Sequence, residues 1–248
     1  MMSKIRWLLL SSLLATQPLW AYSNIREDAS APYALVTWDE PVRVQAGILY
    51  THMDRATEGY GNLKANIYDL QLGVEVTSWW LLYGQIGGSS AELAIMPEAA
   101  DMDVGGLLGT RVNVWQVYDD TRRSAWRLTL QLDASYAYRA AKDGGSGALQ
   151  WSEILVMLPV NYHLSLARTA RNQYLSDFNS IAIFVAPVFS QLDGTWKLNN
   201  RDVDFEAERM FGFAVGLDFW LTERLSLSAR ATVIQDITAS VGVRYSFP

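Results

Sequence analysis

The 248-residue chain is half hydrophobic and carries 26 acidic against 20 basic residues, for a formal net charge of −6. That balance excludes a nucleic-acid surface, where Lys and Arg dominate. The lack of cysteine excludes disulfides, thiolate metal sites, a Cys nucleophile and a lipidated N-terminal cysteine.

From the N-terminus, Lys4 and Arg6 precede an apolar run from Trp7 to Ala15, and Ala21 stands before a polar stretch. This is the layout of a secretory signal peptide over residues 1–21, because the run is shorter than the roughly 20 apolar residues of a spanning helix. Residues 22–40 are polar and read as a periplasmic N-terminal arm, leaving 41–248 as the folded domain. No later segment has the length and apolarity of a membrane helix, so any membrane crossing has to be made by strands.

Period-two alternation then marks strands. In WRLTLQLDASYAYR, Trp126, Leu128, Leu130, Leu132, Ala134, Tyr136 and Tyr138 share one face, while Arg127, Thr129, Gln131, Asp133, Ser135 and Arg139 share the other. Ordered along the chain, the strands are Val42 to Thr51, Tyr68 to Thr77, Trp80 to Ser90, Val104 to Val117, Trp126 to Arg139, Leu149 to Tyr162, Ile181 to Leu192, Phe211 to Leu221, Leu225 to Val233 and Ile237 to Phe247. Those over 80–90, 149–162 and 181–192 carry glycine or proline or are apolar on both parities, so their faces are the hardest to assign. The expected fold is all-β: a transmembrane antiparallel up-and-down β-barrel of ten strands, with eight or twelve as the alternatives.

The links divide into two populations. Short ones at Thr77-Ser78, Asp119 to Ser124 and Thr222 to Arg224 alternate with longer polar ones at Asp54 to Ala65, Glu92 to Asp103, Ala141 to Gly147 and Asp193 to Glu208. Short periplasmic turns and long extracellular loops are the asymmetry of an outer-membrane barrel. Ser165 to Asn179, long, and Gln235-Asp236, short, break the rule. Trp79, Trp80, Trp115, Tyr118, Trp126, Tyr162, Phe219, Trp220, Tyr245 and Phe247 fall near one set of strand ends, and Tyr50, Tyr68, Tyr136, Tyr138, Trp151, Phe189 and Phe211 near the other, as two aromatic girdles would.

The segments VGLDFWLTERLSLSARA, Val215 to Ala231, and ASVGVRYSF, Ala239 to Phe247, resemble the closing hairpins of small bacterial outer-membrane barrels of the outer membrane protein A and opacity-protein type. LGVEVTSWWLLYGQIG, Leu72 to Gly87, is similar to a periplasmic hairpin of that kind. The resemblance implies a porin-like cell-envelope protein of a Gram-negative outer membrane, in contact with outer-membrane lipid and lipopolysaccharide. It also implies handling by periplasmic chaperones and the barrel assembly machinery, with Val241, Val243, Tyr245 and Phe247 as the C-terminal assembly signal, here followed by Pro248.

By parity the inward side chains include Arg43, Asp69, Glu75, Arg111, Arg127, Asp133, Arg139, Glu153, Asp218, Arg230 and Arg244. Near-balanced charges in a narrow lumen favour a network of ion pairs over an open channel. The expected role is structural, adhesive or narrow-pore, with no catalytic residues, metal or cofactor. Two alternatives stand beside it. One is a rim hydrolase using His52 with Asp54 or Glu58, for which no second converging group is evident. The other is a soluble exported lipocalin-like barrel, which the inward charges oppose. The acidic segment Leu192 to Arg209 lacks calcium-loop spacing and reads as a solvated loop.

Overall fold

The computed structural model describes residues 43–77, 79–96, 98–121, 124–142, 147–165, 180–198, 201–222 and 224–247. The leader, the arm, most of the Ser165 to Asn179 link, and Pro248 lie outside the described residues. The strands are β1 (Arg43–Thr57), β2 (Gly61–Thr77), β3 (Trp80–Leu93), β4 (Ala100–Thr121), β5 (Ser124–Lys142), β6 (Gly147–Met157), β7 (Val160–Ser165), β8 (Ser180–Leu198), β9 (Arg201–Glu206), β10 (Phe211–Trp220), β11 (Leu225–Ile234) and β12 (Asp236–Ser246). They form a closed antiparallel barrel of ten staves. β6 and β7 are two halves of one stave, paired in turn with β5 and β8, and β9 folds back on the end of β8 beyond its pairing with β10. The break falls at Leu158-Pro159, where proline has no N–H to give the ladder.

Closure joins β12 to β1, from Gln45 opposite Ser246 to His52 opposite Ala239. The last strand thereby closes on the first. Among the described residues the ten staves then have no free edge, which is the condition for a sheet to stand in hydrocarbon.

The expected loops are the main correction. Asp54 to Ala65 is not a loop but the ends of β1 and β2, joined by a turn of three residues, 58–60. Likewise β3 runs to Leu93, β4 starts at Ala100, β5 runs to Lys142, and the acidic segment 193–208 holds the end of β8 and all of β9. The strands therefore continue beyond the belt as an extracellular extension.

β2 shows why. Its inward positions are Leu63, Ala65 and Ile67 in the extension, then Asp69 and Gln71 in the belt. Its outward positions are Asn62, Lys64 and Asn66 in the extension, then Tyr68, Leu70, Leu72 and Val74, which are exposed in the belt. Within the belt the apolar face meets lipid; outside it the apolar face turns to the interior, as in a protein surrounded by water. The alternation keeps its period while its sign reverses near Tyr68.

Fourteen buried side chains form the core of the extension, among them Leu63, Leu93, Leu149, Trp151, Leu192, Trp196 and Phe205. Thirteen of them come from eight strands, β1 to β6, β8 and β9, and Ala207 follows the end of β9. The end of β9 completes this second ring. Thr57 pairs with Ala207, Glu58 N donates to Glu206 O at 3.0 Å and Glu208 N to Ala56 O at 3.1 Å. β10 and β11 have 10 residues each and β12 has 11, all shorter than β8, so the strap 207–210 runs from β8 to β1 beside their ends.

β8 is apolar on both faces because its inward Phe184, Ala186 and Val188 join Met157, Ala214 and Ile234 in a second core. Its outward Ile183 and Val185 are exposed in the lipid belt.

Candidate functional site

The site is the lumen of the belt, a cavity of about 180 Å³ bordered by the apolar cores. Its wall carries five arginines, Arg55, Arg111, Arg139, Arg230 and Arg244, and three carboxylates, Asp69, Glu153 and Asp218, while Arg111 also reaches Asp133. An unpaired charge in such a space is costly, and pairing with extra hydrogen bonds offsets that cost.

Arg139 on β5 reaches Asp69 on β2 through two parallel hydrogen bonds of 2.7 and 2.6 Å, and both residues are buried. The pair spans two intervening strands, which is possible because each presents a glycine there. A Cβ at Gly87 would lie 2.6 Å from Asp69 Oδ1, and one at Gly105 would lie 2.9 Å from Arg139 Cδ. These two glycines make the corridor along which the guanidinium lies.

Arg111 donates from Nε and Nη2 to Asp133 Oδ2 at 2.9 and 2.7 Å, and Tyr83 donates its hydroxyl to Oδ1 at 2.6 Å. Asp133 is 1 % exposed, so all three donors act in a water-poor setting. Arg244 donates to Asp218 at 3.4 Å.

Arg55 donates to Glu153 at 3.2 Å, to Ser190 Oγ at 3.1 Å and to the strap carbonyl of Arg209 at 3.4 Å, while Ser190 donates to Glu153. Arg55 escaped the sequence reading because it fell in a segment taken as loop. Its odd parity, shared with Gln45, Thr51 and Met53, was the signal. Tyr83 was missed as well, lying in the strand Trp80 to Ser90, from which no inward residue was singled out.

The other sequence-predicted residues are placed as follows. Glu75 accepts from Gln45 Nε2. Arg230 stacks over the Phe184 ring at 5.3 Å. Arg43 and Arg127 are exposed toward the periplasmic end, beyond the paired group. Val241, Val243, Tyr245 and Phe247 are all exposed on the outer face of the closing strand and its end, with Tyr245 and Phe247 edge to face at 5.0 Å.

Ring pairs occur toward both ends of the belt, Tyr50 with Tyr68 and Phe189 with Phe211 at one, Trp79 with Trp80 and Trp126 with Tyr162 at the other. Two expected girdle members belong elsewhere. Trp151 is buried in the extension core, and Trp220 contacts His163 edge to face at 5.4 Å, both aligned with inward positions of their neighbours. Parity decides this: each is one residue out of step with the lipid-facing set of its strand.

His52 forms no pair with a neighbouring carboxylate. It is exposed and shares Asn66 Oδ1 with the Tyr50 hydroxyl, at 3.0 and 2.8 Å, while Asp54 accepts from the Asn62 amide at 2.8 Å. Strand alternation explains the separation, because cross-strand partners on β2 are closer than residues two apart on β1. Outside the belt, Asp103 accepts from the Val104 backbone N–H and from Lys142, and both hold its carboxyl below the ordinary carboxylate range. Among the described residues no group of three or more His, Asp or Glu converges as a metal site.

A closed barrel with this apolar outer belt has the architecture of a bacterial outer-membrane protein, which corrects the soluble alternative. No family model matches the chain, and no curated protein does. Solved structures with a similar strand arrangement include Ail, the attachment invasion locus protein of Yersinia pestis, at 9% identity over 83% of this chain and 97% of that one, TM-score 0.34. The transport unit of the autotransporter AIDA-I from Escherichia coli matches at 12% identity over 83% and 89%, TM-score 0.41. The COG4313 outer membrane channel from Pseudomonas putida F1 matches at 11% identity over 91% and 100%, TM-score 0.35.

Proposed function

We propose that this barrel is a structural or adhesive element of the outer membrane that does not conduct, and that its extracellular extension is the working surface. The observation that carries the reading is the apolar core of the extension, in which Leu63, Leu93, Leu149 and Leu192 are at most 1 % exposed. A bore crossed by close-packed aliphatic and aromatic groups offers no path for a hydrated ion, because stripping its water costs far more than such groups return. Beneath it the ion pairs support the same reading, since their charges are turned on one another.

The belt would be solvated by outer-membrane lipid and the rim by lipopolysaccharide. The exposed stripe Val241, Val243, Tyr245 and Phe247 would be read by the barrel assembly machinery. The role is non-enzymatic, which the amide partner of His52 supports. The test is conductance of the purified full chain in planar bilayers. Silence at all voltages is expected, and discrete ion-selective steps would overturn the reading in favour of a pore.

A further inference from the structure

We infer that the lumen holds a small oxyanion site built on Arg230. Of the five arginines lining the cavity, four have a carboxylate partner: Arg55 with Glu153, Arg111 with Asp133, Arg139 with Asp69 and Arg244 with Asp218. Arg230 is the fifth, and among the described residues it makes no ion pair; its guanidinium lies over the Phe184 ring at 5.3 Å. The five arginines therefore outnumber their carboxylate partners by one. Nor does Asp133, on which Arg230 acts electrostatically, complete the balance, because Arg111 and Tyr83 already occupy its two oxygens.

The fold makes room for this posture. Gly216 stands opposite Arg230 on β10, and the Phe184 ring occupies the space that a Cβ there would fill. Stacking uses the face of the guanidinium and leaves the N–H donors of its edge, which form the fork suited to phosphate, sulfate or carboxylate. On the other side, Ser240 stands opposite Arg230 on β12, and Ser228, Thr232 and Thr238 also line the cavity. Hydroxyls beside a lone guanidinium complete the shell of a tetrahedral oxyanion. The apolar extension closes the outer mouth, so the anion enters from the periplasmic side; that direction rests on the sealed-mouth reading, whereas the site itself does not.

The full chain, folded in detergent micelles, is titrated calorimetrically with inorganic phosphate, with ionic strength held by sodium gluconate. Saturable binding near one phosphate per chain is expected. Arg230→Gln should weaken it at least about tenfold, and Phe184→Leu should weaken it less. Arg127→Gln at the periplasmic end should leave it unchanged. Absence of saturable binding in the unaltered chain, or equal affinity in Arg230→Gln, overturns the site. Should Arg230→Gln fail to fold, bromide anomalous density in crystals of the unaltered chain decides: a peak within hydrogen-bond distance of Arg230 supports the site, and none there overturns it. Conductance in bilayers would sink the sealed mouth alone, since phosphate affinity is measured separately.

Discussion

The extension and the membrane belt are built from the same strands and obey opposite rules. On β2, Leu63 and Leu70 are both leucines of one strand; Leu63 is fully buried inside, while Leu70 is 60 % exposed to the outside. The difference lies in the surrounding medium. Water drives Leu63 inward, whereas lipid tails are as apolar as leucine and leave Leu70 with no reason to hide. The ion pairs occupy the inner wall of the belt because a barrel that shows its apolar groups to lipid has its polar groups left for the lumen.

The sharpest break of this comparison lies at the Arg139–Asp69 pair. Arg139→Ala should destabilise the barrel by about 3–5 kcal/mol, because it strands a buried carboxylate, and Arg139→Met with Asp69→Leu should recover much of that. Denaturant unfolding in micelles measures both; equal stability of Arg139→Ala and the unaltered chain would refute a buried, coupled pair. Next, Leu63→Ala should cost about 2–5 kcal/mol by opening a cavity. Leu70→Ala should cost less than about 1 kcal/mol, since lipid fills the space. Similar losses in lipid-reconstituted protein would erase the distinction between the two regions.

Charge insertion sharpens it from the other side. Leu70→Arg should cost about 2–4 kcal/mol if the residue is near the bilayer midplane. Gln150→Arg, on the outward face of β6 in the extension, should stay within about 0.5 kcal/mol as an ordinary surface change. Equal tolerance of the two would place the belt elsewhere. The smallest effect belongs to Asp103. Its depressed carboxyl contributes stability above the ordinary carboxylate range, lost as pH falls through the lowered value, so Asp103→Asn should flatten only the acid limb of a stability profile. A change at acid pH larger than at neutral pH would contradict that sign.

Much of the belt was legible along the chain. From Trp126 to Arg139, Tyr136 and Tyr138 face outward while Asp133 and Arg139 face inward, as alternation implied, because a strand of period two has no other way to divide them. The extension was not legible in the same way. MDRATEGYGNLKANI, Met53 to Ile67, is polar enough to pass for a loop, and its apolar residues occupy the parity that carries charge a few residues later. A reader following one face loses the strand where its surroundings change. Arg55 was lost with it, and the partner of each arginine was beyond sequence reach, since Arg139 meets Asp69 from 70 positions away.

The sequence by itself determined the strand class and the lipid-facing stripe, because both follow from local alternation and from what hydrocarbon tolerates. Only the tertiary structure decided which charges pair, that Gly87 and Gly105 open the corridor for Arg139, that the strap reaches β1, and that Arg230 stands over Phe184. Those outcomes depend on register and closure around the ring, where residues far apart in the chain come within hydrogen-bond distance.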